Sequence, residues 1–292
     1  MKTAPDPEPV VGSVLSGTPD GARHVLRWTE WGDPENPRVL ICAHGLSRNA
    51  RDFDFLARGL MDRYRVICPD FPGRGLSDWL SNSLHYHNLQ YVQDSRYLIE
   101  SLDFERLDWV GTSMGGLIGM LVASGPDNPL RRLVINDVGP VISGEALAGL
   151  GEYLSKHPRF PTLADAEEYF RTVYTGFGPL EDHHYRHFVS HGLRPAPDGD
   201  GYVLEVDPEV IDQFVSLPFR DVAVWQFWNP IRIPTLILRG EESVVLDRDT
   251  LAEMKARHPA AESVEIPGCG HAPSLMVEDQ IRLVGDWLER DG

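Results

Sequence analysis

The sequence predicts an α/β fold, in which a mostly parallel, doubly wound sheet of about eight strands is flanked by helices and carries an inserted helical cap. Three observations lead to this fold. Short apolar runs recur along the chain, as expected for strands that are buried on both faces of a parallel sheet. Helix-compatible segments separate most of these runs, and such alternation requires right-handed crossovers. Residues 141–228 lack any such run and are too many for a loop in a compact domain.

Composition narrows the class of protein and its partners. The chain has 292 residues, of which 42% are hydrophobic and 24% charged, values typical of a globular protein with a large core. Its net charge of −17 argues against nucleic acid or an anionic membrane as partner. No apolar run is long enough to span a bilayer, and residues 1–20 lack the basic and apolar regions of a secretion signal, so we expect a cytoplasmic location.

The first half of the chain alternates strands and helices after an N-terminal arm. Residues 1–21 are expected to be a loosely ordered arm, because they are polar and contain several prolines. The predicted elements that follow are strands at residues 24–31, 38–43 and 64–69 and helices at residues 50–62 and 89–102.

The second half returns to this alternation after residue 228. Strands are predicted at residues 132–137, 235–239 and 263–266, and a last helix at residues 278–289. Residues 22–140 and 229–292 therefore form the predicted core, and residues 141–228 the cap at the carboxyl ends of the strands. Aromatic side chains are expected to form the core of the cap and in part to line an apolar pocket: Phe170, Tyr174, Phe177, Trp225, Phe227 and Trp228.

The segment WVGTSMGG at residues 109–116 connects a predicted strand to a predicted helix. Its Gly-x-Ser-x-Gly pattern is typical of a nucleophile elbow, a sharp turn that exposes a serine hydroxyl. Small residues two positions on either side of Ser113 let the strand and helix close up around a strained backbone. The hydroxyl then lies at a helix N-terminus, where the helix dipole and free N–H groups favour negative charge.

Four motifs in order resemble the α/β-hydrolase family. They are HG at residues 44–45, DFPGRGLS at residues 70–77, GTSMG at residues 111–115 and GH at residues 270–271. Together they make the chain similar to the capped, single-domain members of that family over residues 24–288. The resemblance implies a serine nucleophile, an acid and a histidine base in that order along the chain.

The resemblance also implies roles for individual residues. Ser113 is the expected nucleophile, and His271 the base that a serine hydroxyl needs within hydrogen-bond reach. The backbone N–H groups of Leu46 and Met114 are the expected donors to an oxyanion. His44 is the competing histidine, and in this family a histidine at that place shapes the oxyanion loop.

The acid departs from the family pattern. Relatives usually carry it a few residues after the strand at 235–239, but here the stretch at residues 240–247 reads GEESVVLD. Ser243 and Val244 occupy the two places where the aspartate is expected. A valine can neither orient an imidazole nor stabilise its protonated form, so the usual acid is missing.

Three explanations remain open at the level of sequence. Asp137 ends the strand at residues 132–137, and some capped relatives take their acid from this place, so we favour Asp137. Alternatively, Glu242 or Asp247 reaches the histidine from the later loop. The third possibility is that the acid is absent, which alone can cost about four orders of magnitude in turnover.

Other motifs are interpreted as structural. His183, His187 and His191 would share one face of a cap helix, where a zinc site is conceivable but a packed or solvated face is favoured. The glycines at residues 70–77 are expected to permit a turn rather than to hold a phosphate. Cys42, Cys68 and Cys269 form neither a disulfide framework nor a zinc pattern, so we expect buried free thiols. No metal or organic cofactor is implied.

The predicted activity is that of a serine hydrolase that cleaves a small or medium carboxylic ester through an acyl-enzyme on Ser113. Serine at the elbow argues against the branches of the family that need a carboxylate nucleophile. Two alternatives stay open: a carbon–carbon bond hydrolase of the meta-cleavage type, and a catalytically impaired ligand-binding protein, which Val244 suggests.

Overall fold

A computed structural model describes residues 7–290 of the chain. Within that part, the strands in chain order are β1 Val10–Gly17, β2 Arg23–Trp31, β3 Arg38–Ala43, β4 Arg65–Asp70, β5 Arg106–Thr112, β6 Arg132–Asn136, β7 Val141–Ile142, β8 Arg159–Phe160, β9 Leu193–Pro195, β10 Tyr202–Leu204, β11 Val222–Ala223, β12 Thr235–Gly240 and β13 Ala261–Ile266.

Helices connect these strands. They are α1 Asp54–Leu60, α2 Asn88–Glu100, α3 Met114–Ala123, α4 Gly144–Leu154, α5 Leu163–Val173, α6 Asp182–Gly192, α7 Pro208–Ser216, α8 Trp225–Trp228, α9 Arg248–Arg257 and α10 Glu278–Glu289. Short 3-10 helices occupy Ala50–Phe53, Ser83–His85 and Thr175–Phe177. No helix among residues 7–290 combines the length and apolar character that crossing a bilayer would require.

The main sheet confirms the predicted fold class. It has eight strands in the order β1-β2-β4-β3-β5-β6-β12-β13. The strands from β4 to β13 in this order are parallel, whereas β1 and β2 are antiparallel to their neighbours. The interior strands are buried on both faces, as their continuous apolar runs predict; β3 has five buried residues in succession.

Strand β1 corrects the expectation of a loosely ordered N-terminal arm. Residues 10–17 pair with residues 23–30 of β2 in an antiparallel ladder, and Ser16 donates a hydrogen bond to Asp94 at 2.5 Å. This strand forms the edge of the sheet and its side chains are mostly exposed or half-buried, so it lacks the apolar run by which the interior strands are recognised. Residues 1–6 of the predicted arm lie outside the described residues.

Two hydrophobic layers cover the faces of the sheet. Residues of α2 and α3 pack on one face with Trp109 at the centre, and residues of α1 and α10 pack on the other. The three cysteines are buried free thiols, as predicted. This double-sided packing holds the sheet rigid and leaves the carboxyl ends of its strands free to carry loops.

Residues 141–228 carry helices α4 to α8 and small two- and three-stranded sheets. Much of this segment packs around Phe170, which is fully buried and stacks on Tyr174 with ring centroids 4.9 Å apart. Trp228 instead belongs to the main core, because its indole donates a hydrogen bond to the carbonyl of Met254. The division into a core and a cap at residues 141–228 stays a prediction.

Candidate active site

The carboxyl ends of four neighbouring strands support the candidate site. Ser113 follows β5, Asp137 follows β6, Ser243 lies three residues beyond β12, and His271 lies in the loop after β13. Strands β5, β6, β12 and β13 are adjacent in the sheet in that order. Residues far apart in sequence therefore meet along one edge of the sheet.

Ser113 lies on the sharp turn that the Gly-x-Ser-x-Gly pattern predicts. Its backbone has φ 52° and ψ −114°, a strained conformation for a residue with a side chain. A Cβ on Gly111 would lie 2.2 Å from the carbonyl oxygen of Gly115, and a Cβ on Gly115 would lie 2.0 Å from that of Ala43. Both positions therefore need glycine for β5 and α3 to approach so closely.

Ser113, His271 and Asp137 form one hydrogen-bonded chain. The Ser113 Oγ lies 2.9 Å from Nε2 of His271, and Nδ1 of the same ring lies 2.8 Å from Oδ2 of Asp137. The carboxylate fixes the tautomer with a proton on Nδ1, which leaves the lone pair of Nε2 facing the hydroxyl. This is the arrangement of a nucleophile, a base and an orienting acid.

Asp137 is fully buried and accepts three hydrogen bonds. The backbone N–H of Gly240 donates to its Oδ1 at 2.8 Å, and the hydroxyl of Ser243 donates to its Oδ2 at 2.7 Å, besides the bond from His271. Buried charge is tolerated only when it is compensated in this way. The backbone of Asp137 has φ 61°, in the left-handed region that aspartate tolerates better than most residues.

Ser243 is a residue of the site whose role the sequence did not reveal. Besides donating to Asp137, its Oγ accepts hydrogen bonds from the N–H groups of Val245 and Leu246, both at 3.2 Å. The serine therefore occupies the place of the usual acid and holds the carboxylate that reaches in from β6. Its position in the stretch GEESVVLD was the available signal, but nothing in the sequence linked it to Asp137.

The other candidate acids lie elsewhere. Asp137 is the carboxylate that contacts the ring of His271 among the described residues. Asp247 is the N-cap of α9, where its side chain accepts a hydrogen bond from the N–H of Thr250 at 2.6 Å. Glu242 is exposed, and the side chain of Val244 points outward with 72% of its surface accessible.

His44 has the structural position that the resemblance implies. Its Nδ1 donates to the carbonyl of Gly45 at 2.7 Å, and its Nε2 accepts from the N–H of Phe71 at 3.0 Å. Burial, together with the charge of Arg74, holds the pKa of His44 well below its usual value, so the ring is neutral. It shapes the loop that carries Leu46 beside the elbow.

Leu46 and Met114, the two predicted oxyanion donors, both line the cavity that holds Ser113. Met114 is the first residue of α3, and an N–H at that position has no acceptor within its own helix. A Cβ on Gly45 would lie 3.9 Å from the Cβ of Ser113, which shows how closely this loop approaches the elbow. Their role as donors stays a prediction.

The cavity above Ser113 has a volume of about 580 Å³ and is lined mainly by apolar side chains. Its lining residues include Leu117 and Val138, and also Leu147, Tyr174 and Phe177 from residues 141–228. Its size is in the range of small-molecule binding sites. A cavity of this kind favours a substrate with an apolar body.

Arg48 links the loop after β3 to residues 141–228 at the edge of this cavity. Its guanidinium makes two hydrogen bonds to Asp52, of 2.8 and 2.6 Å, and donates to the hydroxyl of Tyr174 at 2.5 Å. It also lies over the ring of Phe188, 4.8 Å from the centroid. Asp52 neutralises Arg48, so this arginine does not offer a free charge to the cavity.

A group of possible metal ligands lies where α6 meets α1. Ligand atoms of Asp54, His187 and His191 lie within 4.8 Å of one another, whereas His183 is not part of the group and packs on His184. Arg51 already forms an ion pair with Asp54 at 2.7 Å, and its charge opposes a second cation there. The geometry therefore favours the packed helix face over a zinc site.

The fold and this constellation of side chains define a hydrolase of the α/β-hydrolase type. A sequence profile described as the alpha/beta hydrolase family matches residues 40–285. The chain belongs to that family, and it is an enzyme.

Relatives support the same class. The chain is 42% identical over 287 residues to a 3-hydroxybutyrate-oligomer hydrolase of Cupriavidus necator, covering 94% of this chain and 96% of the relative. It is 26% identical over 266 residues to a 2-hydroxy-6-oxo-2,4-heptadienoate hydrolase of Pseudomonas putida, covering 87% and 89%. The crystal structure of an alpha/beta hydrolase from Novosphingobium aromaticivorans superposes with a TM-score of 0.82 at 33% identity, over 96% of this chain and 99% of that one.

Proposed function

We propose that this enzyme hydrolyses carboxylic esters through an acyl-enzyme on Ser113, with His271 as base and Asp137 as the acid that orients it. The observation that carries the proposal is the double contact of the His271 ring, 2.9 Å from the Ser113 hydroxyl on one side and 2.8 Å from the Asp137 carboxylate on the other. The apolar cavity above the hydroxyl is the space for an ester.

The reaction follows from these contacts. Nε2 of His271 takes the proton of Ser113 as Oγ attacks the ester carbonyl, and Asp137 stabilises the imidazolium that forms. The N–H groups of Leu46 and Met114 meet the developing oxyanion. The tetrahedral intermediate expels the alcohol, which takes the proton from Nε2. Water then attacks the acyl-enzyme with His271 again as base, and the carboxylic acid leaves.

The proposed substrates are oligomers of a short 3-hydroxy acid. The support is the 42% identity, nearly end to end, to a relative named as a 3-hydroxybutyrate-oligomer hydrolase. Such oligomers are ester-linked, and their methyl-bearing chains suit a cavity whose walls are mainly aliphatic and aromatic.

A fluorophosphonate probe followed by peptide mass analysis tests the nucleophile. We expect rapid labelling of Ser113, at a rate reduced by His271→Gln and abolished by Ser113→Ala. Ser77, a buried serine that donates to the carbonyl of Asp70, provides the matched control, since it does not line the cavity that holds Ser113. Absence of labelling in the folded wild type would favour a ligand-binding protein instead.

A substrate panel separates ester hydrolysis from carbon–carbon hydrolysis, which the similarity to the P. putida enzyme keeps as a second candidate. Dimers and trimers of 3-hydroxybutyrate are compared with dienoic ring-cleavage products under the same conditions. We expect kcat/KM for the oligomers to exceed that for the dienoates by at least about tenfold, a difference of 1.4 kcal/mol in transition-state binding. The reverse preference would assign the chain to the carbon–carbon hydrolases.

A further inference from the structure

A second cavity lies inside the cap, next to the one that holds Ser113. It has a volume of about 190 Å³, and it shares Ser47, Tyr153 and Leu154 with the larger cavity. These three side chains thus form the wall between the two spaces. Ser47 directly follows Leu46, one of the expected oxyanion donors. The second cavity therefore begins next to the residue that is expected to bind the oxyanion.

Arg194 lines this second cavity, and its guanidinium forms no ion pair within the described part of the chain. Among the residues that the structure describes, its guanidinium donates no hydrogen bond and forms no ion pair. Its Nε is buried without a partner, and the guanidinium carbon lies 5.1 Å from the centre of the Trp79 ring. A buried donor without an acceptor is costly, so such a donor marks a place where a ligand can bind.

Besides Tyr153 and Tyr169 in its wall, two other titratable side chains lie near this cavity, His157 and Glu205. His157 also lines it, but its Nε2 is held by Asp212 at 2.9 Å. Burial raises the pKa of Glu205, whereas the positive charge of Arg194 lowers it, so these two side chains interact without forming an ion pair. The rest of the wall is largely apolar, with Val203, Leu204 and Ile211 among the lining residues.

We infer that the second cavity binds the free carboxylate end of the substrate, with Arg194 as the partner of the carboxylate, while an ester bond of the same molecule lies at Ser113. A guanidinium offers two parallel N–H donors that match a carboxylate, and a partly enclosed site strengthens the pair. The inference rests on the proposed function. It makes the enzyme selective for esters that carry a carboxylate at a distance from the scissile bond.

The two other arginines that line the larger cavity suit this role less well. Arg48 is already neutralised by Asp52 through two hydrogen bonds. Arg220 lies on an exposed part of the wall, where water and salt screen its charge. Arg194 is therefore the arginine of these three whose burial and lack of an ion pair both favour a carboxylate ligand.

The test uses two substrates that differ only in the remote charge: the trimer of 3-hydroxybutyrate as free acid, and the same trimer as its terminal methyl ester. The measured quantity is the ratio of kcat/KM for the acid to kcat/KM for the methyl ester. We expect Arg194→Gln to lower this ratio by about tenfold, through a raised KM for the acid. Arg194→Lys should recover part of the ratio, because it restores the charge without the paired donors.

Two further variants make the result specific. Arg282→Gln removes an exposed charge on α10, where Arg282 pairs with Asp279, and should leave the ratio as in the wild type. Glu205→Gln removes the acid that competes for Arg194 and should raise the ratio. A general disturbance of the cap would lower both rates together and leave the ratio unmoved.

The outcomes distinguish the two proposals. If the wild type hydrolyses neither trimer, the proposed function fails. If the wild type hydrolyses both trimers but Arg194→Gln keeps the wild-type ratio, the inference about the second cavity is overturned and the esterase proposal stands. The same conclusion follows if Arg220→Gln, instead of Arg194→Gln, lowers the ratio. A fall of the ratio in Arg194→Gln alone supports both.

Discussion

At the scale of single residues, the position of Asp137 supports its proposed role as an acid that replaces the one at the usual place. It directly follows β6, which lies between the strand that precedes Ser113 and the strand that precedes Ser243. From there its carboxylate contacts His271, Gly240 and Ser243 at 2.7–2.8 Å. An acid on β6 can therefore serve the same imidazole as an acid after β12.

A relocation of the acid tests this equivalence. Asp137→Asn should lower kcat by about 10⁴-fold, because the imidazole loses the carboxylate that fixes its tautomer. Adding Ser243→Asp should raise kcat at least tenfold above that of Asp137→Asn. The hydroxyl of Ser243 lies 2.7 Å from the oxygen that His271 contacts, so a carboxylate at this position can approach the imidazole. Steady-state kinetics measure both. The uncharged double variant with Ser243→Asn is the control, and equal rates for the two double variants would contradict the assignment.

Ser243 itself should act as a positioning residue. Ser243→Ala removes one of the donors to the buried Asp137 carboxylate, and a hydrogen bond to a charged group contributes about 1.5–3 kcal/mol. We expect kcat to fall by about tenfold with a much smaller change in KM, because the substrate does not touch this residue. Ser243→Thr keeps the hydroxyl and should stay near the wild type. A loss confined to KM would show that the serine acts in binding instead.

At the scale of elements, helix α6 brings uncharged histidines against the core. Burial lowers the pKa of His187 to about 4 and that of His191 to about 3. The ring of His187 is further fixed by a 2.8 Å hydrogen bond to the carbonyl of Arg51. Both rings must take up protons when the chain unfolds in mild acid, so α6 couples the stability of the cap to pH.

This coupling predicts the direction of a pH effect. Between the unfolded pKa of 6.5 and the folded pKa of about 3, unfolding binds protons at His191, so its contribution to the free energy of unfolding is present above pH 6.5 and is lost as pH falls. Asp54 changes the free energy of unfolding in the opposite direction as pH falls. Burial raises its pKa to about 6, so the folded state takes up this proton before the unfolded state does. The wild type is therefore compared with His191→Gln, which leaves Asp54 in place.

Urea unfolding at pH 7 and pH 4.5 measures the effect. We expect the free energy of unfolding to fall less between these two values in His191→Gln than in the wild type. His183→Gln, which changes an exposed histidine on the same helix, is the matched control and should behave as the wild type. An equal fall in all three proteins would contradict a buried, neutral His191.

At the scale of the whole molecule, the cavity above Ser113 is lined by residues of the sheet edge and of residues 141–228 together. The cavity has a volume of about 580 Å³, and most of the side chains that line it are apolar. Each methylene that a substrate buries there contributes about 0.8 kcal/mol, or about fourfold in binding. Length of the acyl chain should thus set the rate more than local polarity does.

A series of p-nitrophenyl esters checks this expectation. From acetate to hexanoate, kcat/KM should rise by up to about fourfold per methylene and then level off once the cavity is full. Leu147→Ala, which enlarges the wall contributed by α4, should move the levelling point to longer chains. Leu283→Ala on α10, on the opposite face of the sheet, should leave the position of that point unchanged. A flat profile would exclude this cavity as the acyl site.

How far the sequence predicted the molecule depends on the range of the interactions. The elbow at Ser113 was predictable, because its glycines and its strand and helix are neighbours along the chain. The edge strand β1 and helix α9 escaped prediction: β1 is mostly exposed, and α9 is mainly polar with few buried residues. The alternation of apolar runs with helix-compatible segments was enough to predict the sheet. A strand that is buried on both faces is apolar at nearly every position, so its sequence is easily recognised.

The amino-acid sequence alone determined the class of fold, the elbow serine and the histidine of the last loop, because each depends on a local pattern. Only the tertiary structure brought Asp137, rather than Glu242 or Asp247, into contact with His271, and only it linked Ser243 to that carboxylate. The physical reason is that strand order in the sheet, which no local pattern encodes, sets which loops meet. Ser243 donates a hydrogen bond to Asp137, 106 positions earlier in the chain, because β6 and β12 are neighbours.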